Sequence, residues 1–229
     1  MKYILLLALF FLNFLNHTLA SEINASSIMH IAVLPNDKIT ESYKKYILSA
    51  YHEIGYRVVF HEMVSLRAIK SIENKSSEID AILILTESLG SKYSALLPVP
   101  VFLGNANLVL MCRKALICDR SVLQEKNNLI GVTATSFASI YLKNETVVSI
   151  QEVKSRNSLG QMLKRKRLDY ILMINTKQYG NMANINVEEF STFNIKPIRG
   201  FHYINKKHQQ ILPQLTKALK NAAEKLSVL

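Results

Sequence analysis

The sequence predicts an α/β fold in which one set of β-α units is interrupted by another. Three observations carry this. Short apolar strand-like runs alternate with amphipathic helix-like runs. Glycine and proline are few, at 7 and 5 of 229 residues, and tryptophan is absent, which disfavours an all-β fold built on turns. Two extended segments, rather than one linker, separate the first set of units from the second.

The first set opens with the apolar strand Met29–Leu34, which ends at Pro35-Asn36. Tyr43, Tyr46, Ile47, Ala50, Tyr51 and Ile54 then recur at helical spacing on one face, and Gly55 stops that helix. Arg57–Phe60 reads as a second strand and Leu66–Ile72 as a weaker helix. Ala81–Leu85 is apolar on both faces, the pattern of a central parallel strand. From Leu96 to Leu110 the chain reads as one long strand or two joined, with Gly104-Asn105-Ala106-Asn107 in the middle.

The second set begins at Leu129–Val132. The hydroxyl-rich turn Thr133–Ser136 suits the cap of a helix from Phe137 to Leu142. Val147–Val153 is a strand, and Ser155 or Ser158 caps a helix carrying Leu159, Met162 and Leu163. Asp169–Ile174 is a buried strand, and Phe193–Ile204 is extended again. A last helix carries Leu215, Leu219, Ala222, Ala223 and Leu226 on one face, with Pro213 in its first turn. This pattern predicts one lobe from residues 21–104 and 197–229, and a second, inserted lobe from residues 105–196.

The first 20 residues read as a cleavable secretory signal. Lys2 precedes the apolar run Ile4–Leu15, and Thr18-Leu19-Ala20 places small residues before a cut at Ser21. The expected location is therefore the periplasm, across the inner membrane. The formal charge of +11 falls to +10 when Lys2 leaves, and the sequence pI is near 9.6. Such a charge invites a nucleic-acid reading. Export and the scatter of the basic residues argue against it. The one dense run, Lys164-Arg165-Lys166-Arg167, reads as the solvated end of an amphipathic helix. Cys112 and Cys118, an isolated pair in an oxidising compartment, are expected to form a disulfide. The six histidines show no metal-ligand spacing, and no catalytic triad or phosphate-cradling loop is found.

Several of these stretches resemble the type II periplasmic binding proteins, specifically solute-binding protein family 3, which serves polar amino acid importers. Ser77-Glu78-Ile79-Asp80 leading into Ala81–Leu85 and Thr86-Glu87 resembles the family's G-x-x-D entry to the third strand. Leu129–Ser136 is similar to its G-V-x-x-G-T/S turn, and Arg167–Leu172 to its second-lobe strand with the same aspartate. The resemblance implies a two-lobed fold with lobe two inserted in lobe one, and closure on a small polar ligand between the lobes. In amino-acid-binding members an arginine a few residues after the third strand's threonine clamps the α-carboxylate. Here Thr86 is followed by Glu87-Ser88-Leu89, with no arginine before Arg113.

In such an architecture ligands sit at the carboxyl ends of the strands. The candidate ligand-binding residues are then Asn36, Thr86, Glu87, Asn105, Thr133, Thr135, Ser136 and Asn175, with Asn107 and Tyr179 nearby. Each also has a plainer reading. Asn36 suits a turn, Glu87 a solvated loop, the Thr133–Ser136 hydroxyls a helix cap, and the Asn105/Asn107 pair a hinge. The expected function is a monomeric, non-enzymatic solute-binding protein without cofactor or metal. It would work with an inner-membrane importer or receptor and not with nucleic acid. The alternatives are an orphan partner of a membrane receptor or signalling protein and, with Glu87 as its one acid/base candidate, a dehydratase-like enzyme.

Overall fold

The structure is a computed structural model that describes residues 27–35, 38–74, 78–134, 136–176 and 189–227. The leader and the candidates Asn36, Thr135 and Tyr179 lie outside these residues. Among the described residues no helix is long and apolar enough to cross a membrane.

The elements follow the predicted alternation. They are β1 (Ile28–Val33), α1 (Lys38–Glu53), β2 (Arg57–Glu62), α2 (Ser65–Glu73), β3 (Ala81–Thr86), the short α3 (Glu87–Gly90) and β4 (Leu96–Arg113). Then come a 3-10 turn (Arg120–Gln124), β5 (Leu129–Thr133), α4 (Phe137–Glu145), β6 (Ser149–Val153), α5 (Arg156–Lys164) and β7 (Tyr170–Thr176). The chain closes with β8 (Phe190–Asn205), a 3-10 segment (Lys206–Ile211) and α6 (Leu212–Ser227).

Local chemistry explains the boundaries. Gly55 takes φ +84, a left-handed conformation that ends α1 at low cost. The Ser136 hydroxyl accepts from the Ser139 N–H and starts α4; the Ser155 hydroxyl does the same for α5 through Ser158.

The strands form one eight-stranded sheet in the order β2-β1-β3-β8-β4-β7-β5-β6. The two sets of β-α units thus share one sheet. The long strands β4 and β8 run antiparallel through both halves and fuse them. β3 is parallel to β1 but antiparallel to β8, so it is central in a mixed sheet and not an all-parallel one. The apolar two-faced pattern of Ala81–Leu85 reports burial on both sides, and burial alone does not specify neighbour direction.

Helices cover both faces in each half. In the first, α1 and α6 bury Tyr43, Ile47, Ala50, Leu215 and Leu219 against β1, β3 and β4, while α2 packs Ala68, Ile69 and Ile72 on the other face. In the second, α4 covers Leu108, Leu110 and Leu172, and α5 covers Val109, Met111 and Met173. The disulfide Cys112–Cys118 forms at the end of β4.

Asp80, the aspartate of the motif before β3, ties the first half together. Its carboxylate accepts from the His30 N–H (3.0 Å), from His208 Nε2 (2.7 Å) and from Lys207 Nζ (2.7 Å). Burial would raise its pKa, but these hydrogen bonds outweigh burial and hold it well below the usual carboxylate range. The returning C-terminal segment is thus locked to β1 and β3.

Candidate functional site

Parallel strands present their last residues, with unpaired backbone groups, at one end of a sheet. Here the two halves point those ends at each other. Thr86, the last residue of β3, pairs with Gly200 of β8, and Gly200 pairs with Gly104 of β4. Thr176, the last residue of β7, pairs with Ala106 of β4. The carboxyl ends of the two half-sheets therefore meet within two positions on β4, from 104 to 106.

Polar residues gather at this crossing. Asn105 lies opposite Arg199 in register, and Asn107 lies opposite both Asn175 on β7 and Pro197 on β8. Directly opposed residues share a face, so Asn107, Asn175, Pro197 and Arg199 stand on one side of the sheet. Farther along, that side carries Val109, Met111 and Met173 beneath α5. Arg156, the first residue of α5, reaches back to this end with Nη1 3.5 Å from the Ile174 carbonyl, a long contact.

From the first half comes Glu87, the first residue of α3. Its carboxylate is 2.6 Å from Arg199 Nη2, with 60% of the Arg199 side chain and 47% of Glu87 exposed. The Thr86 hydroxyl is buried and has no hydrogen-bond partner among the described residues, a costly state for a donor left dry. Burial and the Glu87 charge together raise the pKa of Tyr203 behind it. Gly90 permits this packing, because a Cβ there would fall 2.2 Å from the Tyr203 ring.

The structure thus brings Thr86, Glu87, Asn105 and Asn175 to one crossing. Thr133 ends β5, beyond β7 in the same sheet. The Ser136 hydroxyl is engaged as the cap of α4, the plainer of its two readings. Beside it, Lys196 lies 4.9 Å from the Tyr141 ring centre and 5.7 Å from that of Phe137, so its charge is spent on holding α4 to β8.

Sequence reading missed Arg199 and Arg156. The guanidinium that stands beside Glu87 comes from β8, which only the β3–β8 pairing reveals. The one sequence signal was the Arg199-Gly200 step in the second extended segment. A small cavity of about 10 Å³, room for one water, lies under the β1 and β3 ends beside Val33, Thr40, Ser65 and Ile84. Among the described residues no group of three or more His, Cys, Asp or Glu is placed to hold a metal ion.

No protein-family model matches the chain, and no curated protein matches it. Solved structures do. The substrate binding protein of an amino acid ABC transporter superposes with a TM-score of 0.64 at 12% identity, over 87% of this chain and 97% of the other. The chain has the two-lobed type II periplasmic binding protein fold. The GluR0 ligand-binding core from Nostoc punctiforme, in complex with L-glutamate, matches with a TM-score of 0.64 at 17% identity, over 87% and 93%. An ancestral amino acid-binding protein, AncCDT-1, a precursor of cyclohexadienyl dehydratase, matches at 0.61 and 12%, over 87% and 93%.

Proposed function

We propose that this protein is a solute-binding member of family 3, exported to the periplasm, which closes its lobes on a small polar solute bearing a carboxylate. The domain division proposed is residues 21–104 and 197–229 for lobe one and 105–196 for lobe two. The observation that carries the reading is the exposed Glu87–Arg199 pair at the meeting of the strand ends. An exposed pair holds itself together by only about 0–1 kcal/mol. A zwitterion offers each partner a replacement, its carboxylate to Arg199 and its ammonium to Glu87. Arg156 and the dry Thr86 hydroxyl add donors, which favours an anionic end on the ligand. The amino-acid ligands named for the structural relatives support this class. The protein acts as a binder and not an enzyme in this reading, because Glu87 is committed to a charge pair.

Ligand favours the closed state by its contacts with both lobes. Delivery to an inner-membrane importer and reporting to a receptor both fit. A second reading, a receptor partner that needs no solute, is favoured by the Glu87–Arg199 pair satisfying itself.

The test is a thermal-shift screen of residues 21–229 against amino acids, organic acids, polyamines and sugars, followed by calorimetry. A ligand at about a hundred times its Kd adds roughly 2.7 kcal/mol. The expected hit carries a carboxylate, and Arg199→Gln weakens it at least about tenfold. A hit indifferent to Arg199→Gln sinks the site assignment. A flat screen sinks the solute reading and leaves the receptor partner.

A further inference from the structure

The end of lobe two remote from the crossing has a different character. β5, β6 and β7 start there and β4 ends there, as the pairings Leu129 with Ser149, Ile130 with Tyr170 and Cys112 with Tyr170 require. α5 runs from the end of β6 to the start of β7, so its C-terminus reaches the same edge. Lys164, Arg165, Lys166 and Arg167 are all exposed there, joined by Lys114 after β4 and Lys126 before β5. Among the described residues none of these six cations has a carboxylate partner. Of the nearby acids, Asp169 is engaged by Arg113 and Asp119 caps the 3-10 turn, leaving Glu125, Glu145 and Glu189.

Three further features mark this end. Ile117 after β4, Leu129 at the start of β5 and Val147 before β6 stand 68%, 42% and 60% exposed at this end. Lys166 sits at φ +58, where glycine is the cheaper residue. The turn thus keeps a lysine against its local preference. The outer face of α5 carries a concavity of about 350 Å³ lined by Asn157, Ser158, Gln161, Met162, Arg165 and Arg167. Two guanidiniums beside amide and hydroxyl donors suit a phosphodiester oxyanion.

We infer that this remote end of lobe two docks on the surface of an anionic bilayer. The cations meet lipid phosphates while the single aliphatic side chains enter the headgroup layer. An acidic protein would use the cations but has no need of isolated aliphatic side chains between them. The inference is independent of the solute reading, because the six cations and Ile117 lie at the opposite end of the β4–β7 strands from the crossing.

The experiment is vesicle flotation with the protein, using phosphatidylcholine alone and phosphatidylcholine with phosphatidylglycerol. The protein is expected to float with the anionic vesicles only and to be released by high salt, which screens exposed charge. The fourfold variant Lys164→Gln, Arg165→Gln, Lys166→Gln, Arg167→Gln loses partitioning by roughly two to three orders of magnitude. Ile117→Ser weakens it severalfold with the charge unchanged. Circular dichroism and melting confirm that the variants are folded. Equal flotation with both vesicle types, no flotation, or a fourfold variant that floats like its parent overturns the inference. Binding to soluble polyglutamate without flotation also overturns it and assigns the surface to an acidic protein.

Discussion

The guanidinium of Arg199 stands 2.6 Å from the carboxylate of Glu87, on strand and helix that meet only because β8 returns beside β3. Both side chains are about half in water, so the pair adds little to stability. Arg199→Gln and Glu87→Gln are expected to change the melting temperature by less than about 3 °C, given 2–4 °C per kcal/mol at this size. The same substitutions are expected to weaken solute binding at least about tenfold. A fall of melting temperature well beyond that range would make the pair structural.

Gly104 and Tyr43 give a prediction about packing. A Cβ on Gly104 would fall 2.1 Å from the Tyr43 hydroxyl oxygen and 3.1 Å from the ring carbon that carries it. Gly104→Ala therefore forces α1 outward and is expected to cost about 1–3 kcal/mol. Removing the hydroxyl with Tyr43→Phe relieves the closest clash. The double variant should be more stable than the sum of the single changes predicts, in a double-mutant cycle by urea unfolding. Strict additivity would refute the contact.

His202 is fully buried on β8. Its Nδ1–H donates to the Leu83 carbonyl (3.1 Å), leaving Nε2 to accept from the Tyr51 hydroxyl (2.9 Å). Burial pushes its pKa down to about 4 from 6.5, against the opposing effect of the backbone hydrogen bonds. Between these values the unfolded chain binds the proton and the native one does not, so stability falls as pH drops from 6.5 to 4, by about 3 kcal/mol. Asp80, held low, adds a second loss once pH falls below its unfolded value near 3.8. Urea unfolding between pH 8 and pH 3 should show both legs. His202→Gln should flatten the upper leg alone; an unchanged upper leg would exclude His202 as its source.

The Cys112–Cys118 bridge closes a short loop at the end of β4. Its removal by Cys112→Ala with Cys118→Ala is expected to cost about 2 kcal/mol, at the low end because the loop is short. Intact mass after alkylation, with and without reductant, reads the bond directly. Two alkylated thiols without reductant would show the bridge absent.

Elements and caps were legible wherever one segment decides its own form. Gly55 ends α1 as read, and Ser136 and Ser155 start α4 and α5 as one of the hydroxyls offered for each cap. Asp80 was legible as part of the entry to β3. Its chemistry was not, because His208 and Lys207 come from the far end of the chain. The crossing was half legible. Thr86, Glu87, Asn105 and Asn175 follow from strand ends, but Arg199 depends on register across a pairing that shifts between Pro98 and Gly104 and again at Leu108/Val109. The His30 and His61 rings show the same limit. They are hydrogen-bonded at 2.8 Å on adjacent strands, a pairing that no sequence spacing displays.

The placement of β8 between β3 and β4 also orders assembly in time. Until residues 200–204 are available, β3 has a bare edge of Ala81–Thr86, almost wholly apolar. An uncovered strand of that kind is a template for pairing with other chains. The sheet around β3 cannot be completed before the ribosome has made residues 200–204. A nascent or truncated chain ending before residue 198 should aggregate where the longer chain does not, which centrifugation of the two would show. The long-range pairing also makes folding slow, giving any export machinery time to take the chain while it is still open.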